Sequence, residues 1–243
     1  MGKDLPDGTR KMVLEFSGGL VGLEELAARL GSIVPFDMQG NVFLREDFEG
    51  TLVDWTSQTA GVGSAVALTV DYYHSKSYSV NLKAATLAGA YARLKRYLPH
   101  LGSKKYGFTC AVILPSTHGC ALKFMATLKK SAVLTYAGVE IENEDGYIKV
   151  RTAVDSWTNV LAIPGHDDNY TWHLLEWYCD LATGYHTLLR WDDTEIDLSA
   201  YALGTAAEAG TDTYCLLECG YYATSNLGGD YYVDDIVAVR NVP

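Results

Sequence analysis

Short stretches of alternating apolar and polar residues cover most of the chain from Asn41 onward. Alternation places successive side chains on opposite faces of a β-strand, so it predicts strands with one buried face. In "SYSVNLKA", for example, Tyr78, Val80 and Leu82 alternate with polar residues. About a dozen such stretches separated by turn signals predict an all-β, antiparallel, two-sheet sandwich or barrel. The strongest hairpin signal is "TWHLLEWYCDLATGYHTLLRWDDTEIDL", with two strands flanking the turn "DLATG".

The first 40 residues have a different pattern. "GLEELAARLGS" places Leu23, Leu26 and Leu30 at helical spacing, and Gly31 is a good helix stop. We therefore predict an N-terminal arm of residues 1–40 with one short helix at about 22–31, followed by a sandwich domain of residues 41–243. A helix this short is not stable alone, so we expect it to dock on the body or on a neighbouring subunit.

Composition narrows the possible partners. The chain has 243 residues, 48% of them hydrophobic, and a formal net charge of −11. Such a charge argues against nucleic acid, which requires a basic surface. No apolar run is long enough to span a membrane, and the opening "MGKDLPDGTRKMVLEF" lacks the apolar core of a signal peptide. The five cysteines have no CxxC spacing, and we expect them to be buried free thiols.

Four segments, in order, resemble concanavalin-like and carbohydrate-binding-module jelly rolls. They are "REDFEG" leading to "VDW" (residues 45–55), "DYYHSKSYSVNLKA" (71–84), "WHLLEWYCDLATGYHTLLRWDD" (172–193) and "YYVDDIVAVR" (231–240). The resemblance implies an antiparallel jelly-roll sandwich. This fold is shared by lectins, lyases, hydrolases, adhesins and virus coat parts, so it does not specify a function.

The arm with "GLEELAARLGSIVPFDMQGNV", leading directly into such a jelly roll, resembles proteins encoded among the virion structural genes of tailed phages. This resemblance implies a non-enzymatic structural or surface-decorating protein of a phage-like virion, assembling through its arm and its sandwich edges. Its partners would be capsid or other particle subunits, including copies of itself. The alternative is a carbohydrate-binding module, either extracellular or cytoplasmic, and an enzyme acting on polysaccharide comes third.

Paired carboxylates near both ends of the sandwich domain suggest a metal. Simple alternation puts Asp235 on the apolar face of the last strand and Asp234 on the other face. In similar jelly rolls, carboxylates of the opening and closing strands bind a structural calcium with help from backbone carbonyls. The resemblance implies a Ca²⁺ site with the ligands Asp47, Glu49, Asp234 or Asp235, and the backbone of Lys76 or Ser77. The alternative is a solvated edge with Arg45 and Arg240 as counter-charges.

Known catalytic patterns of this fold are not found. Sandwich glycoside hydrolases use E-x-D-x-x-E on one strand, whereas "EIDLSA" has Ala200 at the position of the second glutamate. No HExxH or G-x-S-x-G motif is present. We therefore expect no catalytic residues.

Exposed aromatic residues would favour a carbohydrate-binding function. Trp55, Trp157 and Trp191 lie near predicted turns and are candidates for stacking on sugars. Core and interface packing is the competing explanation, because strands are rich in aromatic residues for packing reasons alone.

Overall fold

The computed structural model describes residues 41–75, 77–99, 105–114, 120–130, 132–142, 146–163, 171–210, 212–225 and 229–240. Within these ranges the chain forms sixteen β-strands and no helix. The strands are β1 (Asn41–Glu46), β2 (Thr56–Ala60), β3 (Ala65–Thr69), β4 (Ser79–Ala84), β5 (Tyr91–Pro99), β6 (Lys105–Ile113), β7 (Cys120–Lys130), β8 (Val133–Glu142), β9 (Tyr147–Arg151), β10 (Trp157–Ala162), β11 (Trp172–Asp180), β12 (Tyr185–Trp191), β13 (Thr194–Asp197), β14 (Gly204–Ala207), β15 (Tyr214–Ala223) and β16 (Gly229–Arg240). The predicted arm of residues 1–40 and its helix lie outside the described residues.

The strands form two antiparallel sheets. The first sheet has the order β13-β12-β11-β6-β16-β4-β3, and β1 also pairs with β16. The second has the order β10-β9-β8-β7-β15-β5-β2, and β14 also pairs with β8. The predicted antiparallel two-sheet jelly-roll sandwich is therefore confirmed. In the part of the chain that is described, no helix is long and apolar enough to cross a bilayer.

Alternate residues of both sheets meet in one core. Phe108 and Trp177 face each other across β6 and β11 and stack with their ring centroids 5.3 Å apart. Tyr221 of β15 and Tyr231 of β16 contact each other between the sheets, with centroids 4.4 Å apart. Four cysteines are buried free thiols, as predicted: Cys110, Cys179, Cys215 and Cys219.

A β-bulge in β16 corrects the predicted alternation of the last strand. The pairing of β16 with β6 shifts between Asp234 and Val237, and Asp235 has a φ of 50°. Because the bulge adds a residue, Ile236 faces the main core, whereas Val237 and Val239 lie on the opposite face of the sheet and are buried there in a small cluster with Tyr178. Asp234 is consequently the fully buried carboxylate, and the side chain of Asp235 keeps 14% of its exposure.

The outer face of the second sheet is strongly polar. In β15, Cys215, Leu217 and Cys219 point into the core, so Glu218 and Tyr222 point outward. The same alternation in β5, β7 and β9 brings further charged residues to this face. The pairing of β15 with β5 and β7 brings these charged residues together, and they form the candidate site.

Candidate functional site

A cavity of about 290 Å³ opens on the outer face of the second sheet. Strands β5, β7, β15, β9 and β10 contribute to it, together with the loop that joins β9 to β10. The lining is polar with one indole ring. The lining residues are Arg93, Lys123, Met125, Thr127, Arg151, Val154, Asp155, Trp157, Glu218 and Tyr222.

Two glycines let neighbouring side chains lie close to the backbone in this region. Gly220 is opposite Arg93, and a Cβ there would be 2.7 Å from the Arg93 Cβ and 2.9 Å from the Tyr222 Cε2. At Gly138 a Cβ would be 3.3 Å from the Trp157 Cη2. Any larger residue would push these side chains away from the sheet. The glycines therefore determine the shape of the cavity.

Glu218 is the centre of a hydrogen-bonded cluster at the β15 side of the cavity. It is 6% exposed, and its carboxylate contacts Arg93 Nη1 at 3.1 Å and Lys95 Nζ at 3.2 Å. The Tyr222 hydroxyl also donates to Glu218. Burial, with the neighbouring Glu218 charge, raises the pKa of Tyr222, so the hydroxyl remains a protonated donor. Arg93 in addition donates to Gln58 from Nε and Nη2, at 3.1 and 2.8 Å.

Lys123 connects the centre of the cavity to the next strands. Its Nζ lies 2.5 Å from Glu140 Oε2, and Lys149 Nζ lies 3.8 Å from the other oxygen of Glu140. The same Nζ is 5.0 Å from the ring centroid of Trp157 and 5.2 Å from that of Tyr222. The ammonium group therefore lies within cation–π distance of two aromatic rings.

Arg151, the last residue of β9, lies on the side of the cavity opposite to the Glu218 cluster. Its Nε donates to the Val154 carbonyl at 2.9 Å, Nη2 donates to the same oxygen, and Nη1 lies 3.6 Å from the Met125 sulfur. The guanidinium carbon is 4.5 Å from the ring centroid of Tyr136 and 5.8 Å from that of Trp157. Burial lowers the pKa of Arg151, because the charged form loses hydration.

Chemically, this arrangement suits a polar ligand with an apolar face. The cavity combines ammonium, guanidinium and hydroxyl donors with the partly exposed ring of Trp157. A small number of fixed polar groups beside an aromatic wall is typical of small-molecule and sugar sites. Glu218 already has three polar partners, so its carboxylate orients Arg93, Lys95 and Tyr222.

Of the three tryptophans predicted to stack on sugars, only Trp157 lines the cavity. Trp55 and Trp191 are each 6% exposed. Trp55 donates from Nε1 to Glu46 at 3.0 Å, and Trp191 stacks on His173 with centroids 4.9 Å apart. Because both rings are committed to packing, Trp55 and Trp191 do not present an open face for stacking.

The charged residues of the cavity were not among the site residues predicted from the sequence. The alternation in "YARLKR" could have identified Arg93 and Lys95 as outward-facing, and "ECGYY" could have identified Glu218 and Tyr222. Neither pattern reveals that β5 and β15 are neighbours.

The residues predicted to bind calcium meet around the segment before β4. Asp234 Oδ2 accepts the backbone N–H groups of His74 at 2.9 Å and Ser75 at 3.0 Å. Asp235 contacts the His74 ring nitrogen Nδ1 and the Ser75 hydroxyl, both at 2.8 Å. Burial, with the adjacent Asp235 charge, raises the pKa of Asp234 to about 7.

The residues that follow β1 contribute from the other end of this segment. Glu49 Oε1 accepts the backbone N–H groups of Ser77 at 2.7 Å and Tyr78 at 2.9 Å, and Asp47 Oδ1 accepts the Glu49 N–H at 3.4 Å. Lys76 lies outside the described residues. These carboxylate oxygens face N–H and O–H donors, and among the described residues no three His, Cys, Asp or Glu side chains form a metal-binding group. These hydrogen bonds occupy the carboxylate oxygens that Ca²⁺ would need, and calcium here stays a sequence-based prediction.

Comparison with known proteins supports the fold. No protein-family model matches the sequence, and no curated protein sequence matches it. Among solved structures, an endo-β-1,4-glucuronan lyase from the fungus Trichoderma reesei is similar, with a TM-score of 0.58 and 9% identity over 83% of this chain and 96% of that chain.

Two further structures are similar. The T. cruzi calreticulin globular domain has a TM-score of 0.55 and 9% identity over 83% of this chain and 89% of that chain. The Emp46p carbohydrate recognition domain, in its potassium-bound form, has a TM-score of 0.51 and 9% identity over 84% of this chain and 98% of that chain. At such low identity these likenesses support the β-sandwich fold alone.

Proposed function

We propose that this chain is a non-enzymatic carbohydrate-binding module, and that the cavity on the outer face of the second sheet holds the sugar. The observation that carries the proposal is the position of Trp157, whose ring lies over Gly138 and beside the Lys123 ammonium. A pyranose presents both apolar C–H faces and hydroxyl groups. The cavity offers a partner for each.

The geometry supports binding by a preorganised site. Glu218 holds the side chains of Arg93, Lys95 and Tyr222, so few rotamers remain to be ordered when a ligand binds. Trp157 supplies contact area at low conformational cost, as aromatic residues do at many binding surfaces.

A glycan array probed with the full chain tests this proposal. We expect binding that falls at least about tenfold in Trp157→Ala, corresponding to the loss of about 1.4 kcal/mol. Tyr97→Ala is the matched control, because Tyr97 is 67% exposed in β5 and does not line the cavity. If the chain binds no glycan, or if the two variants lose binding equally, this cavity is not the sugar site.

The non-enzymatic part of the proposal has its own test. Any glycan found to bind is incubated with the chain, and new reducing ends or unsaturated products are measured over time. We expect none. Cleavage that disappears in Glu218→Gln, in protein whose fold is retained, would replace binding by catalysis as the function.

Assembly on a phage-like virion is the second proposed function, and a glycan site is compatible with it. It rests on the sequence resemblance of the arm and on one structural feature, because β2 at the edge of the second sheet exposes four of its five residues. Unpaired edge strands are natural assembly surfaces. We expect the full chain to form a defined oligomer and a chain starting at Asn41 to lose it, as measured by mass in solution. Two equal monomers would contradict assembly through the arm.

A further inference from the structure

Arg151 has hydrogen-bonding capacity that the described protein does not use. A guanidinium group carries five N–H donors. Three are accounted for by Nε and Nη2 on the Val154 carbonyl and Nη1 near the Met125 sulfur. Two N–H groups, on adjacent nitrogens, have no acceptor among the described residues. The hydrogen-bond partners of the Arg151 guanidinium among the described residues are uncharged.

The other two cations of the cavity are neutralised. Arg93 pairs with Glu218 at 3.1 Å, and Lys123 pairs with Glu140 at 2.5 Å. Arg151 forms no ion pair with any carboxylate in the described part of the chain, since its contacts are the backbone carbonyl, the sulfur and two rings. The surplus positive charge of the cavity therefore resides on this residue.

The net charge of the cavity is opposite in sign to the net charge of the whole chain. Counting the charged lining residues together with the residues they pair with leaves a local surplus of one positive charge: the cations are Arg93, Lys95, Lys123, Lys149 and Arg151, and the carboxylates are Glu140, Glu142, Asp155 and Glu218. The chain as a whole has a net charge of −11. An acidic protein with a locally positive, partly enclosed site attracts an anion to that site in particular.

From this geometry we infer that the cavity selects a carboxylate-bearing sugar, such as a uronic or sialic acid, and that Arg151 determines this specificity. The inference rests on the proposed function and names the ligand class of the same site. Two N–H groups on adjacent guanidinium nitrogens match the two oxygens of a carboxylate. Trp157, next to Arg151, would contact the sugar ring while the carboxylate meets the guanidinium.

Asp155 offers a second test, in which a substitution should strengthen binding. It is exposed, lines the cavity and acts electrostatically on Arg151 without forming an ion pair. Its charge opposes an incoming carboxylate and competes for Arg151. Removing it should strengthen the binding of an acidic sugar, an effect that a purely structural Arg151 would not produce.

The experiment uses the full chain and an array of paired glycans: uronic-acid and sialic-acid glycans, the same glycans with methyl-esterified carboxyl groups, and sulfated and neutral glycans. We expect acidic members to bind at least about tenfold more tightly than their esters, the scale of a hydrogen bond to a charged group. Arg151→Gln and Arg151→Lys should lose most of this preference, because lysine keeps the charge without the planar fork. Asp155→Asn should raise the affinity for acidic glycans about two- to fivefold.

Lys83→Gln is the charge-matched control, since Lys83 is exposed on β4 of the other sheet. Equal affinity for acids and esters, or preference for sulfated glycans, would overturn the inference and leave the proposed sugar site intact. Failure to bind any glycan would overturn both. If Arg151→Gln unfolds, seen as loss of its thermal transition, the ester comparison and Asp155→Asn still decide, and no change in both overturns the inference.

Discussion

His186 connects the core to the cavity and should make the stability of the chain depend on pH. It is fully buried. Its Nδ1 accepts the Trp177 indole N–H at 2.9 Å, so Nε2 carries the proton and donates to the Arg151 carbonyl at 2.9 Å. Burial lowers the pKa of His186 from 6.5 to about 4, and the hydrogen bond to the Arg151 carbonyl only partly offsets this.

The sign and size of the effect follow from proton binding. Between the folded pKa of about 4 and the ordinary value of 6.5, the unfolded chain binds a proton at His186 and the folded chain does not. The stability associated with neutral His186 is therefore fully present above the unfolded pKa and is lost as pH falls toward the folded pKa. A shift of about 2.5 pKa units corresponds to about 3 kcal/mol.

His186→Gln isolates this contribution. A glutamine amide can accept from Trp177 and donate to the Arg151 carbonyl, but it does not titrate. We expect the free energy of unfolding of the wild type, measured by urea denaturation, to fall by about 3 kcal/mol relative to the variant between about pH 7 and about pH 4. Both chains share every other titrating group, including Asp234, whose pKa shift has the opposite sign.

A difference in unfolding free energy that stays constant over this range would refute the reasoning. It would mean that His186 does not remain neutral in the folded chain, or that its burial costs the charged form little. A difference in unfolding free energy that is the same at every pH would show only that glutamine replaces the two hydrogen bonds of His186 imperfectly. The change of that offset with pH is the decisive quantity.

Three further predictions concern the sheets and the carboxylates. Glu218→Gln should lower the free energy of unfolding by about 3 kcal/mol, because the buried carboxylate is lost and the partly buried Arg93 and Lys95 are left without a carboxylate partner. Glu195→Gln, at an exposed ion pair, should cost less than about 1 kcal/mol. Equal costs in urea denaturation would contradict the role of burial. Gly107→Ala should lower the free energy of unfolding by about 1–3 kcal/mol, because the added Cβ would overlap the ring of Tyr178. Gly50→Ala should leave the free energy of unfolding nearly unchanged, because the space around Gly50 is open. If calcium binds as predicted from sequence, it should raise the melting temperature, EDTA should reverse the rise and Asp235→Asn should remove it; an unchanged melting temperature would count against calcium there.

Some of the carboxylate arrangement was predictable. The resemblance to jelly-roll modules placed Glu49 and Asp234 near one segment before β4, and the structure brings both to that segment. What was not predictable is the bulge at Asp235, which reverses the side-chain alternation beyond it. A bulge depends on how a strand pairs with its neighbour, and no local feature of "YYVDDIVAVR" requires it.

The three tryptophans also separate what the sequence could predict from what depended on the folded structure. Position near a turn made Trp55, Trp157 and Trp191 equivalent candidates. Their exposure was decided by what packs on each ring: Phe48 on Trp55 and His173 on Trp191, whereas Trp157 lies at the cavity.

The sequence by itself determined the element type and the two faces of most strands, because alternation follows from the local geometry of an extended backbone. Only the tertiary structure decided which strands are neighbours. Arg93 and Glu218 are 125 residues apart in sequence and form an ion pair because β5 and β15 are adjacent in one register. That register is selected by core packing over the whole sandwich, so the cavity that it creates cannot be read from any single segment.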